Sequence, residues 1–155
     1  MPITPLHLGI LAPINHFAKD KVSTAAFVIA NVLVDLPVLL HVYAMKVQEM
    51  GGPVVTGGLH ETGTHTFLGA VLLGAFLGMF RPKTLAWWLG SLLGTVSHVL
   101  LDMVVHADMQ PFAPITTWNP FYIPGSIEWL SLGLGIGLVF WVLMLRDQRK
   151  ASLPI

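Results

Sequence analysis

The chain has 155 residues, of which 54% are hydrophobic and only 10% charged. Soluble domains carry about 25% charged residues, so this is the composition of a membrane protein. Eight basic residues balance eight acidic ones, leaving no basic patch for nucleic acid, and the absence of cysteine excludes disulfides, thiolate metal sites and a cysteine nucleophile.

Residues 1–18 contain no Lys or Arg, so a secretory signal peptide with a positive n-region is not expected. The length predicts one integral membrane domain over residues 1–155. Five apolar segments follow in chain order, at 5–18, 22–45, 64–80, 84–106 and 127–145, and they predict an all-α polytopic membrane helix bundle. The first contains Pro5 and Pro13 and is expected either to span or to be re-entrant. The second, fourth and fifth are long enough to cross about 30 Å of hydrocarbon. The third is short, and its Gly69, Gly74 and Gly78 suit close helix packing. Gly90 with Gly94 and Gly133 with Gly137 have the same Gly-xxx-Gly use.

Charge predicts the orientation. Lys19, Lys21, Arg81, Lys83, Arg146, Arg149 and Lys150 all fall in connections on one side, which the positive-inside rule makes cytoplasmic. Only Lys46 falls on the other side, with the N-terminus and the loops near 46–63 and 107–126. The expectation is an N-terminus outside and a C-terminus in the cytoplasm. Tyr43, Trp118, Tyr122 and Trp129 then belong to the outer interface, and Trp87, Trp88 and Trp141 to the inner one.

The ionisable residues sort on this frame. His98, Asp102 and His106 are four residues apart in an apolar segment, so they share one helix stripe. Ionisable groups at that depth are costly unless paired, hydrated or bound. By helical rise, His98 is about 10 Å and Asp102 about 5 Å below the outer end of the segment. Asp35 lies roughly 14 Å below the outer end of the second segment. His7, His41, His60 and His65 share the outer half with them, and only His16 is on the inner side.

Plainer roles compete for several of these. Asp35 could hydrogen-bond a neighbouring helix through Asn31, His98 and Asp102 could be a structural pair, and His60 could be simply solvated. His41 and His16 read as interfacial, and His106 sits at a segment edge where solvation rivals ligation. Convergence from four segments favours a site. His and Asp without Cys suit Zn²⁺ first, with Mn²⁺ or Fe as alternatives. His98, Asp102 and His65 are the core candidate ligands, joined by His7 or Asp35, and a spare carboxylate, Asp35 or Asp108, would position water or orient a ligand. The run His60-Glu61-Thr62-Gly63-Thr64-His65 has one residue too many for a zincin His-Glu-x-x-His, which excludes that type of protease site.

The chain resembles the small YdjM-like inner-membrane proteins described as membrane-bound metal-dependent hydrolases. The resemblance rests on Thr4-Pro5-Leu6-His7-Leu8-Gly9, Val34-Asp35, His60, Thr64-His65-Thr66 and Ser97-His98-Val99-Leu100-Leu101-Asp102. Asp108, Pro111-Phe112 and Asn119-Pro120 follow downstream. It implies a hydrolase with metal ligands drawn from His7, Asp35, His60, His65, His98 and Asp102. Two departures stand out: Pro37 replaces the second acid of the family's usual Asp-x-Asp-His, and His60-Glu61 replaces His-Arg.

The leading functional expectation is thus a metal-dependent hydrolase in the inner membrane, its site facing outward, acting on an ester or phosphoester such as a lipid. Its partners would be the bilayer and a lipid substrate, with homo-oligomer formation open. A proton- or cation-coupled transporter built around Asp35 is the first alternative. The second is an accessory subunit with a structural metal or a bis-histidine haem.

Overall fold

The computed structural model describes residues 4–18, 21–54, 56 and 63–151, and they are helical without strands. The central element is α6 (Leu85–Val105); α3 (Thr24–Val34) and α5 (Phe67–Gly78) pack along its two sides. Small residues allow the close approach. A Cβ on Gly90 would run into Ser23 O and one on Gly94 into Phe27 O, so both glycines seat α6 against α3, as their spacing predicts. On the other side Gly74 meets Leu92 and Thr95, and Gly78 meets the Trp88 ring. Gly69 departs from expectation: it packs on Gly63 O of its own turn and not on a neighbouring helix.

Polar side chains close the helix ends. Ser23 Oγ accepts from Ala26 N at 3.3 Å and opens α3, while Thr66 Oγ1 accepts from Gly69 N at 2.9 Å and opens α5. The Trp87 indole donates at 2.8 Å to Leu77 O, a last-turn carbonyl of α5 that also accepts from Phe80 N at 3.3 Å.

The second apolar segment is one stretch in sequence and two helices in space. α3 stops at Val34, and α4 (Leu36–Glu49) starts after Asp35. Pro37 is the cause: it has no N–H for the Leu33 carbonyl, its ring crowds that carbonyl, and it disfavours helical geometry at Leu36. The break therefore falls on Asp35.

The first segment is a run of short pieces: α1 (Thr4–His7), a 3₁₀ turn (Leu8–Ile10) and α2 (Leu11–Ala18). It lies along α7 (Ser126–Ala151). Gly9 and Gly137 meet backbone to backbone, where a Cβ on either would strike Leu134 O or Gly9 O. Gly133 has open space around it, so its expected packing role is not observed.

Three stretches are long and apolar enough to cross a membrane: Thr24–Glu49 with its interruption, Leu85–Val105 and Ser126–Asp147. α5 spans only about 18 Å at helical rise, and the first segment is similarly short. The five apolar segments thus include two that fall short of the hydrocarbon thickness. Their outer faces are apolar: Leu40, Leu72, Val139 and Phe140 are each about 60% exposed. Such a surface belongs against lipid tails.

After α6 the chain folds back over that helix end. Asn119 Nδ2 donates to Met103 O at 2.7 Å and His106 O at 3.1 Å, and Ile123 N donates to Val104 O at 3.0 Å. Met109 enters a small core with Ala70, Val99 and Met103, and Phe67 N donates to Pro111 O.

Candidate metal centre

The helix stripe on α6 brings His98 and Asp102 to one face, and Asp102 Oδ2 lies 3.1 Å from His98 Nε2. Opposite them the α3–α4 break presents Asp35, whose Oδ1 is 3.2 Å from His98 Nε2. His65 closes the group from the 3₁₀ turn Gly63–His65, with Nε2 3.3 Å from Asp35 Oδ1 and 3.5 Å from Asp102 Oδ2. One ligand-type atom from each of these four residues lies within 4.8 Å of all the others.

Burial makes the arrangement unusual. The His65 and His98 side chains are fully buried, Asp102 is 2% exposed and Asp35 12%. Asp35, beside the helix break, is the least buried of the four. His98 Nε2 approaches two carboxylates within hydrogen-bonding distance, yet neither of its ring nitrogens makes a well-directed hydrogen bond. Asp102 Oδ1 and His7 Nε2, 3.1 Å apart, share that property. Close contacts that miss hydrogen-bond alignment are what donor atoms produce when they converge on a common point. Their spacing suits a first-row divalent ion, because ligands 2.0–2.1 Å from a tetrahedral centre sit about 3.3 Å apart. The residues present fit such an ion.

His7, near the N-terminus, is 1% exposed and stacks edge-on against His98 with ring centroids 4.4 Å apart. It adjoins the four residues through Asp102. His106 is at the edge, its Nε2 3.7 Å from Asp102 Oδ1, and begins the non-helical chain after α6. Asp108 lies exposed in the turn that follows and is not one of the four. His41 is half-buried on α4, and His16 is exposed beside Phe17. His60 and Glu61 lie outside the described residues.

Two features depart from the sequence expectations. The plainer alternative for Asp35, a helix contact through Asn31, is not what forms: Asn31 Nδ2 donates to Gly94 O at 3.2 Å, and Asp35 faces His65 and His98. Thr64, visible in sequence only as part of the Thr-His step, ties the cluster to the break, its hydroxyl donating to Val34 O at 2.9 Å. Its signal was position: a hydroxyl immediately before a candidate ligand.

Comparison with curated proteins and with solved structures finds no match. Comparison with protein families matches residues 5–153, nearly the whole length, and the chain accordingly belongs to the YdjM inner membrane protein family.

Proposed function

We propose that this protein is a membrane-bound metal-dependent hydrolase acting on an ester or phosphoester, such as a lipid, at a centre held by His65, His98, Asp102 and Asp35. One observation carries the reading: two imidazoles and two carboxylates converge in a buried site, and His98 lacks any directed hydrogen bond. Leaving a buried polar group unsatisfied costs about 1–3 kcal/mol, and a divalent cation at the convergence would remove that cost for several atoms together. Zn²⁺ fits the donor set best, with Mn²⁺ or Fe as the alternatives. Bound there, the ion would supply a Lewis acid for a carbonyl or phosphoryl oxygen.

The chain's own residues divide the remaining work. His98 and Asp102 hold their positions through one rigid helix, and His65 is oriented from its turn. Asp35, the least buried of the four, is the member we assign to take a proton from water or to complete the ligand set. His7 and His60 are the further ligands in this reading, and Asp108 a carboxylate at the outer rim.

The helix break at Asp35 also favours a second reading, a cation-coupled transporter, because interrupted spanning helices form ion sites in such proteins. Metal analysis of detergent-purified protein separates the two. Hydrolysis predicts about one or two tightly held transition-metal ions per chain, loss of that metal in His98→Ala/Asp102→Ala, and metal-dependent cleavage of ester or phosphoester probes. Protein that purifies without metal, takes none up and cleaves none of the probes would overturn the hydrolase reading.

A further inference from the structure

Thr64 has a single hydroxyl proton, and that proton goes to Val34 O at 2.9 Å. The same oxygen lies 3.3 Å from His65 Nδ1. An oxygen whose proton is already committed can only accept, so the ring must donate from Nδ1. We propose that Thr64 is a positioning residue that fixes His65 with its proton on Nδ1, turning Nε2 toward Asp35 and Asp102. The purpose of this device rests on the metal-centre reading above; the proton's location does not.

The consequence is electrostatic. His65 Nε2 lies within hydrogen-bond distance of Asp35 Oδ1 at 3.3 Å and 3.5 Å from Asp102 Oδ2; with Nδ1 protonated, it can donate there only as an imidazolium, and the neutral ring presents a lone pair instead. In the neutral ring acceptor faces acceptor, and either a second ring proton or a cation between the groups makes the arrangement favourable. Ligating histidines usually donate their remote N–H to a fixed partner, which sets the tautomer and the ring's orientation. Among the described residues, His65 has a side-chain partner at its remote nitrogen, whereas Nδ1 of His7 and of His98 has none. Thr64 also binds the carbonyl that immediately precedes Asp35, so one hydroxyl sets a ligand from the 3₁₀ turn against a ligand at the helix break.

The test uses the full chain in detergent or nanodiscs, with ¹⁵N-labelled histidine and three forms: wild type, Thr64→Val and Thr64→Ser. Wild-type His65 should show a protonated, slowly exchanging Nδ1 in metal-free protein. Valine should abolish that signal and serine should restore it. Zn²⁺ affinity measured by competition with a chelating dye should fall about 10- to 100-fold with valine, the usual range for loss of an outer partner, and return within a few-fold with serine. A bare Nδ1 on wild-type His65 overturns the proposal, as does a valine variant with wild-type Zn²⁺ affinity and an unchanged Nδ1 proton. The two readings fail separately. A Thr64-dependent Nδ1 proton in protein that binds no Zn²⁺ removes the metal centre and keeps the positioning role, whereas Zn²⁺ binding with a bare Nδ1 does the reverse.

Discussion

His98 is the residue on which the site turns, because a fully buried imidazole within 3.2 Å of two carboxylates is stable only if charge is balanced among them. Asp102→Asn separates charge from shape: the side chain keeps its volume and loses its negative charge. Metal content should drop at least about tenfold, since a charged first ligand matters at least as much as an outer partner, while helicity by circular dichroism stays unchanged. Retention of metal in Asp102→Asn would count against ligation. His106 gives the opposite expectation. It stands 3.7 Å from Asp102 at the end of the helix, and His106→Ala should leave metal stoichiometry as in wild type. The i,i+4 spacing of His98 and Asp102 made their shared face readable, because helix geometry is local. Nothing local announced that Asp35, 63 residues before His98 in sequence, would supply the facing carboxylate.

At the scale of elements, the interruption between α3 and α4 does what an unbroken helix could not. It ends the regular ladder at Asp35 and leaves the Val34 carbonyl bonded to Thr64. Pro37→Ala lets the helix run on, so the fold should tolerate it while Asp35 rotates away from His65 and His98. The expected result is metal affinity about tenfold weaker, the scale of an outer-partner loss, with an unchanged or higher melting temperature; unchanged affinity would show that the break does not position Asp35. Packing gives a separate test. Gly94 faces Phe27 O too closely for any side chain, so Gly94→Val should destabilise the α3–α6 pair by about 1–3 kcal/mol, read as a lower thermal midpoint in detergent. Gly133→Val, at a position with open space around it, should not. The sequence spacing treats these two glycines alike; the difference arises because only one of them faces a backbone.

For the molecule as a whole, the cluster lies toward the C-terminal end of α6, while Arg81 and Lys83 precede that helix's start. In the proposed orientation this puts the centre in the outer half of the membrane, beneath the chain that folds back through Met109 and Asn119. An alkaline phosphatase reporter, active only outside the cytoplasm, should be inactive when fused after Lys150 and active in the loop near residue 117. Activity after Lys150 would reverse the assignment.

Composition and hydropathy determined by themselves that this is a helical membrane protein, because transfer of each side chain from water to lipid is a property of that side chain alone. The residue types and the α6 spacing likewise determined which groups could bind a metal. Tertiary structure alone decided that Asp35 meets His65 and His98, that Asn31 serves the helix contact, and that the first apolar segment lies as short pieces along α7. Those outcomes depend on which backbones can approach closely and where a proline interrupts them, and such distances are set between elements and not within any one of them.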